Sequence, residues 1–372
     1  MVIDLHGKRK IFKIIALIIV AIITIMNITG GQVSLFSPLQ NKVFITQMIS
    51  DVVPVFCNYN HINTAFIEKM FLGFNINSPM SIIKSNVFAF GALEIPEEKV
   101  EEEPPVDLSN TLPIKETTIS NKSANGYYQA DGVLVKNATT YDFDPIALIN
   151  EDLKFKCSGK GPHVLIIHSH SSESYTATDK NYYLPTDPDR TEDTNFNVVR
   201  VGTEIVNTLK VNGIEAVHDT SLHDYPSYNG SYKSALASVE EYLKKYPTIK
   251  IVLDIHRDAM VQADGTKLKL VADIENKKAA QIMLLTGTNQ GGLDHPEWRE
   301  NLKFAMKLQR VVNEMYPGLT RPVSLTKERY NTHTTYGSII IEVGTTGNTL
   351  EEALVSARMI GNSVAKFVKS EL

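Results

Sequence analysis

The stretch 126–372 predicts an α/β domain with a central, mostly parallel sheet. Three observations predict it. Apolar runs of strand length alternate with amphipathic stretches of helix length. Several of the runs are apolar at every position, as strands buried on both faces are. About 245 residues suit one domain of this class. In order, 132–136 reads as a short strand and 164–167 as a buried one. Residues 196–211 read as a helix stopped by Asn212-Gly213, followed by a strand over 214–217. A helix over 232–243 precedes the buried strand 251–255, and 282–286 is a further strand. A long amphipathic helix covers 298–315 and is stopped by Pro317-Gly318. The strand 339–341 leads into a final helix over 350–368, with Thr349 and Glu352 at capping-box spacing.

Upstream the character changes. Residues 1–10 carry Lys8, Arg9 and Lys10, and 11–29 form an apolar stretch near the length that spans a bilayer. The positive flank predicts a cytoplasmic N-terminus, a transmembrane anchor and export of the remainder. A cleaved signal peptide is the rival reading, although no A-x-A-like site follows. Residues 30–93 read as an extracytoplasmic spacer of short apolar clusters. Residues 94–125 crowd Glu97, Glu98, Glu101, Glu102 and Glu103 beside Pro104-Pro105 and then turn polar, which predicts a flexible linker and a domain boundary.

Composition narrows the function. The net charge is −5, and no long basic run lies beyond the N-terminus, so nucleic acid is a poor partner. Cys57 and Cys157 are the two cysteines and lack zinc-finger spacing. Any metal therefore needs imidazole and carboxylate ligands.

Three apolar runs end in polar groups. The first leads into His168-Ser169-His170-Ser171-Ser172-Glu173, the second into Asp254-Ile255-His256-Arg257-Asp258, and the third into Glu342-Val343-Gly344. Sites in open parallel sheets form beyond the carboxyl ends of strands, so these groups are expected to share a crevice. Two or three histidines with two glutamates suit catalytic zinc, which takes about three such ligands and leaves a position open. His168 and His170 are two residues apart and face one side of an extended segment. His256 closes a buried strand, with Asp254 or Asp258 placed to orient it. Glu342 follows three isoleucines and is expected to be buried and functional, as the general base and acid. His218, Asp219, His223 and Asp224 follow the 214–217 strand on the same rim, and Tyr225, Tyr228 and Tyr232 are groove candidates. Arg257, Asp258, His223 and Tyr228 are the candidates for touching substrate. A zinc carboxypeptidase clamping a carboxylate with Arg257 or Arg329, and a non-catalytic scaffold, stand as alternatives.

The His170 segment, the Asp254-Ile255-His256 strand end and Ile341-Glu342-Val343-Gly344 resemble the zinc-dependent N-acetylmuramoyl-L-alanine amidases. The run His168 to Tyr175, Asp254 to Asp258, and Asp224-Tyr225-Pro226-Ser227-Tyr228-Asn229 resemble the stage II sporulation protein P branch. The resemblance covers roughly 130–370. It implies a twisted central sheet flanked by helices. It implies zinc held by His170, His256 and either Glu173 or His168, with Glu342 catalytic. It implies amidase and cross-link endopeptidase action on septal peptidoglycan during engulfment. The expected location is the mother-cell septal membrane, and the expected partners are stage II sporulation proteins D and M. The broader amidases carry their metal glutamate at the start of the next helix; here 193–197 has none, and Glu173 is the substitute.

Overall fold

Uninterrupted apolar runs become the inner strands of the larger of two sheets. The computed structural model describes residues 108–120 and 126–371, within a unit that runs from Pro104 to Leu372. In chain order the elements are β1 (Leu112–Thr117), β2 (Tyr128–Ala130), β3 (Val133–Asn137), α1 (Pro145–Asn150), β4 (Val164–Ile167) and β5 (Tyr182–Tyr183). Next come α2 (Val198–Val211), β6 (Ala216–His218), α3 (Ser231–Lys245), β7 (Ile251–Asp258), β8 (Lys267–Ile274) and β9 (Lys277–Ala280). The remainder are β10 (Ile282–Thr286), α4 (Trp298–Met315), β11 (Val323–Leu325), β12 (Gly337–Thr345) and α5 (Leu350–Ser370).

The larger sheet has the order β2-β3-β11-β10-β12-β7-β4-β6. Only β2/β3 and β10/β12 pair antiparallel, so the sheet is mixed but mostly parallel. Alternation along the inner strands sorts side chains onto two faces. Val164, Ile166, Ile251, Leu253, Ile255, Ile339 and Ile341 pack into the main core with α2, α4 and α5. Leu165, Ile167 and Val252 form a smaller core with Ala235 and Val239 of α3. Each fully buried Leu or Ile contributes about 1.5–3 kcal/mol of transfer free energy. One face is thus broadly covered, and α3 packs on the other. α5 starts with the expected capping box between Thr349 and Glu352.

Three findings differ from the sequence reading. The expected linker contains β1, which pairs parallel to β8 in a four-stranded sheet ordered β5-β1-β8-β9. Only Ile114 of β1 is buried, so its composition looks like linker. The β8–β9 hairpin is the second difference. β8 places buried lysines, Lys267 and Lys269, where strand patterns show apolar residues. Third, β6 begins at Ala216, later than expected. The expected anchor and spacer lie outside the described residues. Among the described residues no helix is long and apolar enough to cross a membrane. Cys157 is free and buried, and burial pushes its thiol up to about 11.

Candidate active site

Parallel pairing of β7 with β12 sets Glu342 directly beside His256. Both strands run past the last residue of β4, so the pair lies beyond the carboxyl end of that neighbour. Alternation places them on the α3 face, together with Asp254.

The chain leaves β4 through turns over 169–172 rather than continuing extended. This separates the two histidines that an extended reading kept together. His168 continues the face of Val164 and Ile166 and lies beneath α2. Its Nδ1 is 3.1 Å from Ile255 O and its Nε2 is 2.9 Å from His218 Nε2. Gly202 of α2 makes room for it, since a Cβ there would stand 2.6 Å from His168 Nε2. Burial, with His218 adding, drives the His168 pKa down to about 3, so the ring is neutral. His168 thus lies in the core beneath α2, apart from His170.

His170 instead turns toward α3. Its ring stacks on Tyr228 at 4.4 Å and meets Tyr232 edge-on at 5.0 Å. Its Nε2 is 3.1 Å from the Tyr228 hydroxyl, and its Nδ1 is 3.2 Å from Ser231 Oγ. The His256 ring stands 5.3 Å away, nearly perpendicular.

Glu173 is buried among cations and donors. Its Oε2 accepts from the Arg257 backbone N–H at 3.0 Å and lies 3.5 Å from His256 Nδ1. Its Oε1 lies 3.5 Å from Arg190. Burial opposes its charge, but His256 and Arg257 outweigh burial and hold the carboxyl below its ordinary value. On the other edge of His256, Nε2 is 2.9 Å from Asp254 Oδ1 but off the line of a hydrogen bond. Asp254 also accepts from Ser169 N at 2.8 Å and Ser169 Oγ at 2.5 Å, which ties β7 to the turn after β4. Burial of His256 is overcome by Asp254 and then Glu173, and its pKa rises well above the usual value. Part of Glu342 is open to solvent, while its Oε2 is buried without a hydrogen-bond partner. Burial raises its pKa against the pull of His256, with Glu173 and Asp258 adding to the rise.

The remaining candidates divide. Tyr228 is exposed and covers His170, with the Arg190 guanidinium 4.8 Å from its ring. Asp258 accepts from Arg321 at 2.8 Å and keeps partial exposure. Arg257 is buried and donates to Asp189 O at 2.7 Å, so it braces a loop. His223 engages Asp219 Oδ2 at 3.0 Å and Ser234 Oγ at 2.9 Å, which leaves neither ring nitrogen for substrate. Arg257 and His223 thus both engage neighbouring protein groups. Sequence reasoning missed Arg190, which donates to Asp224 at 2.7 Å while reaching Glu173. It sits in a long loop, where no periodicity marks it. Among the described residues, no group of three or more His, Cys, Asp or Glu is already disposed to hold a metal ion.

With this geometry in place, comparison with known proteins gives a family. The family model described as stage II sporulation protein P matches residues 77–365. The chain belongs to the stage II sporulation protein P family. Stage II sporulation protein P of Bacillus subtilis (strain 168) is 29% identical over 200 residues, covering 51% of this chain and 47% of that protein. The match thus spans about half the length of that relative. Among solved structures, an N-acetylmuramoyl-L-alanine amidase from Clostridium difficile 630 is 13% identical with a TM-score of 0.35, over 57% of this chain and 100% of that one. The CwlD amidase from Clostridioides difficile, solved in complex with the GerS lipoprotein, is 15% identical with a TM-score of 0.32, over 55% and 99%.

Proposed function

We propose that the protein is a zinc-dependent peptidoglycan hydrolase, an N-acetylmuramoyl-L-alanine amidase that also cuts peptide cross-links, anchored in the septal membrane of a spore-forming cell. One observation carries the reading: Glu342, with its unpartnered Oε2, stands beside His256, which in turn faces Glu173.

The chemistry of the donors supports the zinc reading. Two ligands on one tetrahedral zinc, each about 2.0–2.2 Å from it, stand about 3.4 Å apart. His256 Nδ1 and Glu173 Oε2 are separated by 3.5 Å. Asp254 lies 2.9 Å from the opposite ring nitrogen, close enough to orient a ligating imidazole once its geometry lines up. His170 would supply the third donor by giving up one of its two hydroxyl contacts. Zinc held there would polarise a carbonyl and bring the pKa of water near neutrality. Glu342 Oε2 takes the proton of the attacking water and delivers it to the departing amine. Arg190 and the Arg257 backbone N–H hold Glu173 in place. Tyr228, half over His170 and open to solvent, offers a wall for substrate. Stage II sporulation proteins D and M are the proposed partners.

The test is Glu342→Gln in the full-length protein. It should keep zinc yet release no stem peptides from purified sacculi, read by mass spectrometry of the products. Wild-type release by that variant overturns the assignment. Loss of cross-links with every muramoyl amide bond intact would instead mark an endopeptidase alone.

A further inference from the structure

Beside the candidate centre a tyrosine is held in a backbone conformation that its side chain disfavours. Tyr330 has φ = 50°, in the left-handed region. A bulky residue there is an outlier and persists only where its surroundings over-determine it. The surroundings do so here. Before it, the carbonyls of Glu328 and Arg329 lie so close to Gly287 that a Cβ there would stand 2.1 and 2.6 Å from their oxygens. After it, Asn331 Nδ2 donates to Tyr232 O at 2.8 Å. Thr332 Oγ1 donates to Arg329 O at 2.8 Å and closes the turn around Tyr330. The Asn301 amide then binds the carbonyls of Thr332, Thr335 and Ser338 at 2.8, 2.8 and 2.9 Å. The loop is thus pinned on both sides of the strained residue.

The pinned ring points to the site by its neighbours. It lies 5.4 Å from the Tyr232 ring, which is near-parallel to His256 at 6.3 Å. Burial raises the pKa of its phenol, the Glu328 and Glu342 carboxylates raise it further, and His256 opposes them. The phenol therefore keeps its proton at neutral pH and acts as a donor. Among the described residues its hydroxyl has no hydrogen-bond partner. A strained, rigidly held donor, one ring removed from His256, suits a charge developing on substrate.

We propose that Tyr330 donates a hydrogen bond from its phenol to the carbonyl oxygen of the amide being cut, as negative charge grows on that oxygen. The proton stays on the phenol throughout, and Glu342 alone transfers protons. This rests on the hydrolase reading above. The closing experiment compares wild type, Glu342→Gln and Tyr330→Phe, all full-length and zinc-loaded, on purified sacculi. Tyr330→Phe should keep the wild-type Tm and zinc content, because ring and backbone are unchanged. Its kcat should fall about 10²–10³-fold, the usual cost of one oxyanion donor, with KM nearly constant. Wild-type kcat in Tyr330→Phe, a loss confined to KM, or a fall in Tm that accounts for the lost activity overturns the proposal while leaving the hydrolase reading intact. A wild type no more active than Glu342→Gln brings down both.

Discussion

Asp254→Asn tests whether the carboxylate behind His256 tunes the proposed metal site. The substitution keeps shape and removes one charge. In the native structure Asp254 is buried, receives two bonds from Ser169, and lies 2.9 Å from His256 Nε2. Burial alone raises its pKa, but His256 and Ser169 reverse that and hold it ionised. Loss of such an outer carboxylate lowers metal affinity or activity about 10–100-fold, or about 1.4–2.8 kcal/mol. Hydrogen bonds to a charged acceptor contribute about 1.5–3 kcal/mol and neutral ones about 0.5–1.5, so the Ser169 contacts weaken by about 1–3 kcal/mol together. For a domain of this size that lowers Tm by about 2–12 °C. Zinc affinity by chelator competition and Tm by calorimetry read the two effects separately. Zinc affinity and Tm both equal to wild type would refute the reasoning. A fall in Tm alone would confine Asp254 to holding the turn after β4.

Further outcomes follow from the same contacts. Gly202→Ala should lower Tm, because its Cβ would meet both His168 and His218 within 2.7 Å beneath α2; overpacking of this kind costs about 1–3 kcal/mol. Thermal melts as a function of pH should show acid lability. Burial holds His168 down to about 3 and His218 and His295 to about 4, from 6.5. The unfolded chain then binds more protons over this range, so stability is full above pH 6.5 and falls as pH drops toward 4. A Tm flat from pH 7 to about 4.5 contradicts the buried neutral histidines. Glu352→Ala should cost about 1–2 kcal/mol in denaturant unfolding, because Asp179 still pairs with Lys269. It removes the α5 capping box and leaves buried Lys269 without the carboxylate now 2.7 Å away.

Much of the architecture is legible because β4 and β10 are apolar at nearly every position and β7 and β12 carry the apolar runs 251–253 and 339–341, and such runs announce themselves. β1 and β8 are not legible. One buries a single residue, and the other buries lysines neutralised by Asp179, Asp189 and Glu352, partners remote in sequence. The candidate centre shows the same divide. Glu173, His256 and Glu342 lie in or beside strand ends, so chain direction gathers them. His168 and His170 look equivalent on an extended segment, and only the turn over 169–172 sends them to opposite faces. Arg190 and Tyr330 sit in loops, where position depends on contacts such as Arg190 with Asp224 and the Glu328 and Arg329 carbonyls against Gly287. Composition carries no trace of these.

Zinc X-ray absorption on the purified full-length protein tests the central claim most directly. The account predicts one zinc per chain, with two imidazoles and oxygen donors at about 2.0–2.2 Å, and loss of that signal in His256→Ala. A chain without stoichiometric zinc that still cleaves sacculi, or an unchanged spectrum in His256→Ala, would contradict it.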